Sequence, residues 1–315
     1  MKITNRCNLP EPIVRAVSVD DYSKGESDFS VSGLIRPPQI NMLEAMHYQE
    51  LEEDASDRIW RLLGTSIHEI LSKSSTSNAL SETRLYAEIN GVIISGQFDH
   101  MAVKDRILTD YKVTSAWAVK GEVKDEWEKQ LNYYYQLCRL NDIDVDKLQI
   151  VAILRDWSRS NMARDPGYPQ QSVVTLDVPL WPDDRAMNSM GDDIADQLDA
   201  LAGNARPCTD SERWFKPGKV ALMKKGRKSA VRLFDTRNEL VTYCLNTGLM
   251  ITDSKAYQNM GCLHLELMSL TNEDPVFKES SSYIQERPAV FPRCENYCGV
   301  SAFCEQWRDE NVEAV

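Results

Sequence analysis

NGVIISGQFDHMAVKDRILTDYKVTSAW, residues 90–117, is the stretch that decides the fold. It opens on Asn90-Gly91, a dipeptide typical of a two-residue hairpin turn between two runs of alternating apolar and polar residues. The runs cover residues 84–89 and 92–99, and a polar dipeptide separates the second from a third run at 107–113. We therefore predict a three-stranded antiparallel meander.

Three ionisable residues of this meander are predicted to converge. Asp99 ends the second strand, and Asp110 and Lys112 lie two apart in the third, where a period of two places both side chains on one sheet face. Further on, EWEKQLNYYYQ has a helical period that puts Gln130 and Tyr134 on one helix face. The ordinary alternative for Asp110 and Lys112 is an ion pair on a solvated strand face, worth at most ~1 kcal/mol.

Four short motifs follow one another in this region. They are GxxxH at Gly64 to His68, GxxD at Gly96 to Asp99, DxK at Asp110 to Lys112, and QxxxY at Gln130 to Tyr134. Each is common by itself, but the set in this order resembles the PD-(D/E)XK nuclease superfamily, and within it the RecB-like exonucleases with their CRISPR-associated members. The resemblance implies an α/β, restriction-endonuclease-like core, in which helices flank a mixed central sheet.

The resemblance also implies a metal-dependent site for phosphodiester hydrolysis. The residues that it assigns to catalysis are Asp99, Asp110, Lys112, Gln130 and Tyr134. The residues that it assigns to a Mg²⁺ or Mn²⁺ ion are His68, Asp99, Asp110 and Tyr111 through its backbone carbonyl. Carboxylates suit Mg²⁺, and a histidine ligand shifts the preference towards Mn²⁺. Lys112 is expected to orient the attacking water, while Gln130 and Tyr134 hold the substrate strand or position Lys112.

A lone helix histidine is ordinarily a partly buried structural residue, and the motif context is what favours a ligand role for His68. Composition constrains the function further. The 315 residues carry a formal charge of -12, which argues against a protein that coats nucleic acid non-specifically but not against a nuclease with a local basic groove. The first residues lack an apolar signal segment, and no run approaches the roughly 18 apolar residues that span a membrane. We expect a cytoplasmic protein with no membrane partner, in a bacterial host if it is phage-encoded.

The segment FKPGKVALMKKGRKSAVRLF, residues 215–234, contains no acidic residue. Its basic residues are Lys216, Lys219, Lys224, Lys225, Arg227, Lys228 and Arg232. In an acidic chain this segregation favours a surface that follows DNA phosphates, and the alternative is a solvated basic face.

Three cysteines, Cys294, Cys298 and Cys304, lie within eleven residues of a polar, turn-rich segment. Core cysteines are usually scattered among apolar residues, so these three are predicted ligands that need a fourth. RecB-like nucleases with such a triplet carry an iron-sulfur cluster closed by an upstream cysteine. Cys208 after Pro207 resembles the ligand of phage-encoded relatives, and Cys7 is the alternative. Four cysteines can hold zinc or iron-sulfur, and the arrangement of three clustered ligands and one remote ligand, together with the family resemblance, favours a 4Fe-4S cluster.

These inferences predict an N-terminal arm (1–40), a nuclease core (41–205), and a basic segment with an iron-sulfur region (206–315). The function they predict is a DNA exonuclease that prefers single-stranded ends and acts in recombination or DNA processing. DNA is the predicted partner, and other proteins of those processes are further candidate partners. The alternative from a different class is a nuclease-fold DNA-binding or scaffolding protein that has no turnover.

Overall fold

The computed structural model describes residues 1–19, 23–74, 78–247 and 282–312. They belong to two compact units, Met1–Cys208 with Gly299–Val315, and Thr209–Cys298. The helices of the described residues are α1 (Glu11–Ser18), α2 (Val31–Leu34), α3 (Pro38–Met46), α4 (Ile59–Lys73), α5 (Asp125–Leu140), α6 (Arg159–Arg164), α7 (Asp183–Leu201), α8 (Arg237–Thr247), α9 (Pro292–Asn296) and α10 (Glu305–Val312). The strands are β1 (Lys2–Thr4), β2 (Phe29–Ser30), β3 (Glu52–Asp54), β4 (Ala79–Ile89), β5 (Val92–Ala102), β6 (Ile107–Thr114), β7 (Lys147–Leu154), β8 (Val173–Val178), β9 (Lys219–Lys224), β10 (Arg232–Phe234) and β11 (Ser282–Arg287).

A six-stranded mixed sheet forms the centre of the first unit. Its order is β2-β5-β6-β7-β8, with β4 along β5. The pairs β2–β5 and β6–β7 are parallel, and the other pairs of this sheet are antiparallel. Helix α5 packs on β4 to β7, and α4 packs on β5 and β6. A mixed sheet flanked by helices confirms the predicted fold class and is consistent with a restriction-endonuclease-like core. The iron-sulfur region, a separate part of that prediction, stays a prediction.

The hairpin between β4 and β5 forms at the predicted turn. Asn90 and Gly91 both have a positive φ, 52° and 77°, as a turn that matches the twist of the two strands requires. The register starts at Ile89 opposite Val92 and continues to Ala79 opposite Ala102. The first strand is thus five residues longer at its start than the alternating run predicted.

Strands β5 and β6 stay together only briefly. They pair from His100 opposite Thr109 to Ala102 opposite Ile107, and β6 then continues beside β7 as far as Thr114. Earlier in β5, the same edge pairs with the two residues of β2. The meander is therefore present, but β5 and β6 separate at the residues of β5 that precede His100. Asp99 lies at the resulting gap.

The N-terminal residues contribute to the core, whereas an arm over the domain was predicted for residues 1–40. Val31 and Leu34 are fully buried, and Ser30 caps α2 by accepting a hydrogen bond from the Gly33 N–H at 3.1 Å. Helix α3 ends at Met46, where turns and β3 follow. Local periodicity did not reveal these features because β2 and β3 each pair with a strand distant in sequence.

The second unit contains a three-stranded antiparallel sheet of order β10-β9-β11 with α8 packed on it. Leu222, Phe234, Leu240 and Cys244 form its core. Cys244 here and Cys138 in the first unit are buried, as is usual for cysteines among apolar residues, while Cys262 lies outside the described residues. Within the described ranges, every helix is too short or too polar to cross a membrane.

Candidate active site

Asp99 bridges the gap between β5 and β6. Its Oδ2 accepts a hydrogen bond from the Tyr111 N–H at 2.6 Å, which replaces the strand-to-strand bond that the divergence removes. The side chain is buried, and its other carboxylate oxygen, Oδ1, points to α4. Asp99 thus fixes β6 beside its own carboxylate and leaves one oxygen for the site.

Asp110 and Lys112 lie on one face of β6, as the strand period predicted. Lys112 Nζ is 2.8 Å from Asp110 Oδ2, but no described residue donates an aligned hydrogen bond to that oxygen. Asp110 is only 3% exposed, so the pair is not the solvated ion pair of the ordinary alternative. Burial raises the pKa of the Asp110 carboxyl, the Lys112 ammonium opposes the rise, and the charge of Asp99 adds to it.

A hydrogen-bond chain connects Lys112 to α5. Lys112 Nζ donates to Gln130 Oε1 at 2.8 Å, and Gln130 Nε2 donates to the Tyr134 hydroxyl at 3.1 Å. The two motif residues of α5 are therefore placed to hold the lysine, one of the two roles that the sequence left open. An ammonium held by a carboxylate and an amide is restricted to a small region of the site.

The glycine of GxxD explains how α5 reaches this position. A Cβ on Gly96 would lie 2.5 Å from Leu137 Cδ1 and 2.9 Å from Tyr134 Cδ1, closer than folded proteins allow. Only glycine permits this approach of α5 to β5, and the approach brings Gln130 to Lys112. Gly64 of GxxxH differs, since a Cβ there would meet no described atom within 4 Å.

His68 on α4 closes the site from the helix side. Its Nδ1 lies 3.2 Å from Asp99 Oδ1 and 3.6 Å from Glu82 Oε1, and its Nε2 lies 3.1 Å from the Tyr111 carbonyl oxygen. Hydrogen bonding to Asp99 and then to Glu82 raises the pKa of His68 to about 10. The imidazole is therefore protonated at neutral pH when no metal is bound, and a metal ion must displace that proton.

Glu82 is a site residue that the sequence prediction missed. Its φ is +46°, a left-handed backbone that costs a non-glycine residue free energy and that occurs here within a strand. The carboxylate is held in turn, because Gln97 Nε2 donates to Glu82 Oε2 at 2.9 Å and Arg84 donates to Gln97 Oε1 at 2.8 Å. The strained backbone and the hydrogen bond from Gln97 together orient the Glu82 carboxylate towards His68.

A signal for Glu82 was present in the sequence. A two-residue turn fixes the register of a hairpin, and Thr83 pairs with Phe98 while Ser81 pairs with His100. Glu82 therefore lies opposite Asp99. The predicted strand begins at Arg84 because the residues before it are polar. It therefore does not include Glu82, which lies two residues earlier.

The donor groups fit a divalent cation. Ligand atoms of His68, Glu82 and Asp99 all lie within 4.8 Å of one another. One imidazole with carboxylates suits Mn²⁺ or Mg²⁺, and the Tyr111 carbonyl and Asp110 are the adjoining oxygen donors.

The basic segment lies in the second unit. Lys224, Lys225, Arg227, Lys228, Lys216 and Arg232 are exposed, and four of them surround the turn between β9 and β10. Lys219 forms an ion pair with Asp235, and the Arg232 guanidinium lies over the rings of Phe234 and Tyr243. Contact between the basic residues of this segment and DNA stays a prediction.

The predicted cluster cysteines fall in both units, with Cys208 and Cys304 in the first and Cys294 and Cys298 in the second. The Cys208 N–H donates to Gln306 Oε1 at 3.0 Å, and Gln306 Nε2 donates to the Cys208 carbonyl at 2.9 Å. Because Gln306 is two residues beyond Cys304, these bonds bring the backbone of Cys208 to the start of α10.

Several solved structures are similar to this chain. SSO0001 aligns with 65% of this chain and 91% of its own, at 19% identity and a TM-score of 0.45. A proposed exonuclease from Eubacterium rectale aligns with 49% of this chain and 55% of its own, at 14% identity and a TM-score of 0.30. A phage-related exonuclease from Haemophilus somnus 129PT aligns with 62% and 82%, at 12% identity and a TM-score of 0.25. No protein-family model and no curated protein matches the chain. These likenesses are too weak to identify the chain, and the fold class rests on its own strand order.

Proposed function

We propose that this protein is a metal-dependent DNA nuclease, an exonuclease that prefers single-stranded ends. The observation that carries the proposal is the set of groups at the gap between β5 and β6. Two buried aspartates, an oriented lysine and a histidine paired with a strained glutamate meet there. Buried and mutually perturbed ionisable groups of this kind are typical of active sites.

Phosphodiester hydrolysis needs an oriented water, neutralised phosphate charge and help for the leaving oxygen. His68, Asp99, Glu82, Asp110 and the Tyr111 carbonyl would hold Mg²⁺ or Mn²⁺, and the ion, when bound, would neutralise phosphate charge and make water a better nucleophile at neutral pH. Lys112 donates from a position fixed by Asp110 and Gln130, so its ammonium is available to orient the attacking water or to stabilise charge on the phosphate.

Digestion of end-labelled DNA tests the proposal. Single-stranded and duplex substrates are incubated with the purified protein and Mg²⁺ or Mn²⁺, and parallel reactions contain a chelator. We expect mononucleotides or short products from the single strand with metal and none with chelator. Binding to DNA without any cleavage would reject the nuclease in favour of the scaffolding alternative.

We also propose that Cys208, Cys294, Cys298 and Cys304 ligate a 4Fe-4S cluster. Thiolates are the ligands of such clusters, and the backbone bonds between Cys208 and Gln306 favour Cys208 over the exposed Cys7 as the fourth. Protein purified without oxygen should be brown and contain iron and acid-labile sulfide, and Cys208→Ser should lose the colour while Cys7→Ser keeps it. Colourless protein with stoichiometric zinc would reject the cluster.

A further inference from the structure

Two tryptophans of the first unit are exposed. Trp60 is 56% exposed and Trp117 is 64% exposed, more than the other five tryptophans of the chain. Indole rings bury a large apolar area when they pack inside a protein, and an exposed indole ring offers the same flat area to a bound molecule.

Each exposed ring carries a cation. The Arg155 guanidinium lies 4.3 Å from the centroid of Trp60, and Lys120 Nζ lies 4.6 Å from the centroid of Trp117. Lys120 is also paired with Asp165 at 3.1 Å, and the Trp117 ring meets the buried Tyr168 edge-on at 6.3 Å. These contacts fix the orientation of the rings and put positive charge beside them.

Both rings lie near the carboxyl ends of β6 and β7. The Arg155 N–H donates to the Thr114 carbonyl at 2.9 Å where the two strands end, and Trp117 follows in a short 3-10 helix, Ala116–Val119. Lys112 precedes Thr114 by two residues on the same strand. The rings therefore lie beyond the candidate catalytic lysine, at the end of the strand that carries it.

Helix α4 connects Trp60 with the metal-ligand group. Trp60, Gly64 and His68 recur at intervals of four, so they share one face of α4, about 12 Å long. The middle position has no side chain, and a Cβ on Gly64 would meet no described atom within 4 Å. An open stretch of helix thus runs from His68 to Trp60.

We propose that Trp60 and Trp117 stack on unpaired bases of a DNA strand whose phosphate lies at the gap between β5 and β6, an inference that rests on the proposed function. Arg155 supplies positive charge for an adjoining phosphate, and Lys120, which is shared with Asp165, holds the Trp117 ring. Unpaired bases are the occupant because their flat faces are free, whereas stacked pairs in a duplex bury those faces. The surface made by Trp60, Arg155, Trp117 and Lys120 selects a single strand by this difference.

Binding of a fluorescein-labelled thymidine oligonucleotide and of a duplex of equal length tests the proposal in the presence of EDTA, which stops cleavage. Trp60→Ala and Trp117→Ala should each weaken single-strand binding about 5- to 150-fold, the effect of losing one stacked base. Duplex binding should change much less. Trp60→Phe and Trp117→Phe should restore most of the affinity because a flat ring remains. Tyr48→Ala removes another exposed aromatic side chain of the first unit, outside the site, and should bind as the wild type does.

Equal single-strand affinity in the wild type and both alanine variants would overturn the tryptophan surface and leave the nuclease intact, provided that the wild type cleaves DNA in the metal-containing assay. Equal losses on single strand and duplex would also overturn it, since stacking on unpaired bases predicts unequal losses. A wild type that neither binds nor cleaves DNA would overturn the proposed function and this inference together.

Discussion

Glu82 adopts a backbone conformation that strand residues avoid, and its carboxylate gains contacts with His68 and Gln97 in return. If this carboxylate helps to hold the metal ion, Glu82→Gln should keep the fold and weaken Mn²⁺ binding at least about tenfold, the size typical for losing a group that supports a metal site. Isothermal titration with Mn²⁺ measures the effect. Glu88→Gln changes an exposed glutamate of the same strand and should leave the affinity unchanged; equal affinities in all three proteins would remove Glu82 from the site.

The motif residues were predictable as single positions because their roles depend on spacing. Asp110 and Lys112 share a face through the strand period, and Gln130 and Tyr134 lie four apart on α5. Glu82 was missed because its role depends on a register that extends beyond the alternating run. The exposure of Trp60 was also not predictable, because it depends on how much of α4 the sheet covers, which no local pattern encodes.

Packing of α5 against β5 depends on the absence of a side chain at Gly96. Gly96→Ala forces a methyl group against Leu137 and Tyr134 and should lower the free energy of unfolding by about 1–3 kcal/mol. Gly64→Ala is the matched control, because nothing opposes the methyl group and a helix gains about 1 kcal/mol from alanine. Urea unfolding compares the two, and a Gly96→Ala protein as stable as the wild type would show that α5 adapts freely.

Elements whose signal is local were predicted well. The hairpin turn lies at the predicted Asn-Gly dipeptide, and α5 covers the segment EWEKQLNYYYQ, for which a helical period was predicted. Elements that form only by pairing with a strand distant in the sequence were not predicted. The two residues of β2 pair with β5 more than sixty positions later, and no local pattern announces such a short parallel strand.

Charge is distributed unevenly over the whole chain. A protein of net charge -12 concentrates basic residues in the turn between β9 and β10, and we expect this turn to contact phosphates. Replacing Lys224, Lys225 and Lys228 with glutamate should reduce the logarithmic salt slope of DNA binding by roughly 2 to 3, because each lost contact removes about 0.7 to 0.9. Fluorescence anisotropy at several salt concentrations measures the slope. The triple arginine variant keeps the charge and should keep the slope, and an unchanged slope in the glutamate variant would return the segment to a solvated basic face.

The central claim is that the groups at the gap between β5 and β6 hydrolyse DNA with a metal ion, and Asp110→Asn tests it most directly. The substitution preserves the shape of the side chain and removes a buried carboxylate whose pKa burial raises, while Lys112 keeps its hydrogen bond to Gln130, so the variant should still fold in chelator. Asp105→Asn, in the exposed turn before β6, is the control. The account predicts that Asp110→Asn folds, loses the rise in melting temperature that Mn²⁺ gives the wild type, and releases no labelled product, while Asp105→Asn behaves as the wild type. Wild-type cleavage by folded Asp110→Asn would contradict the account.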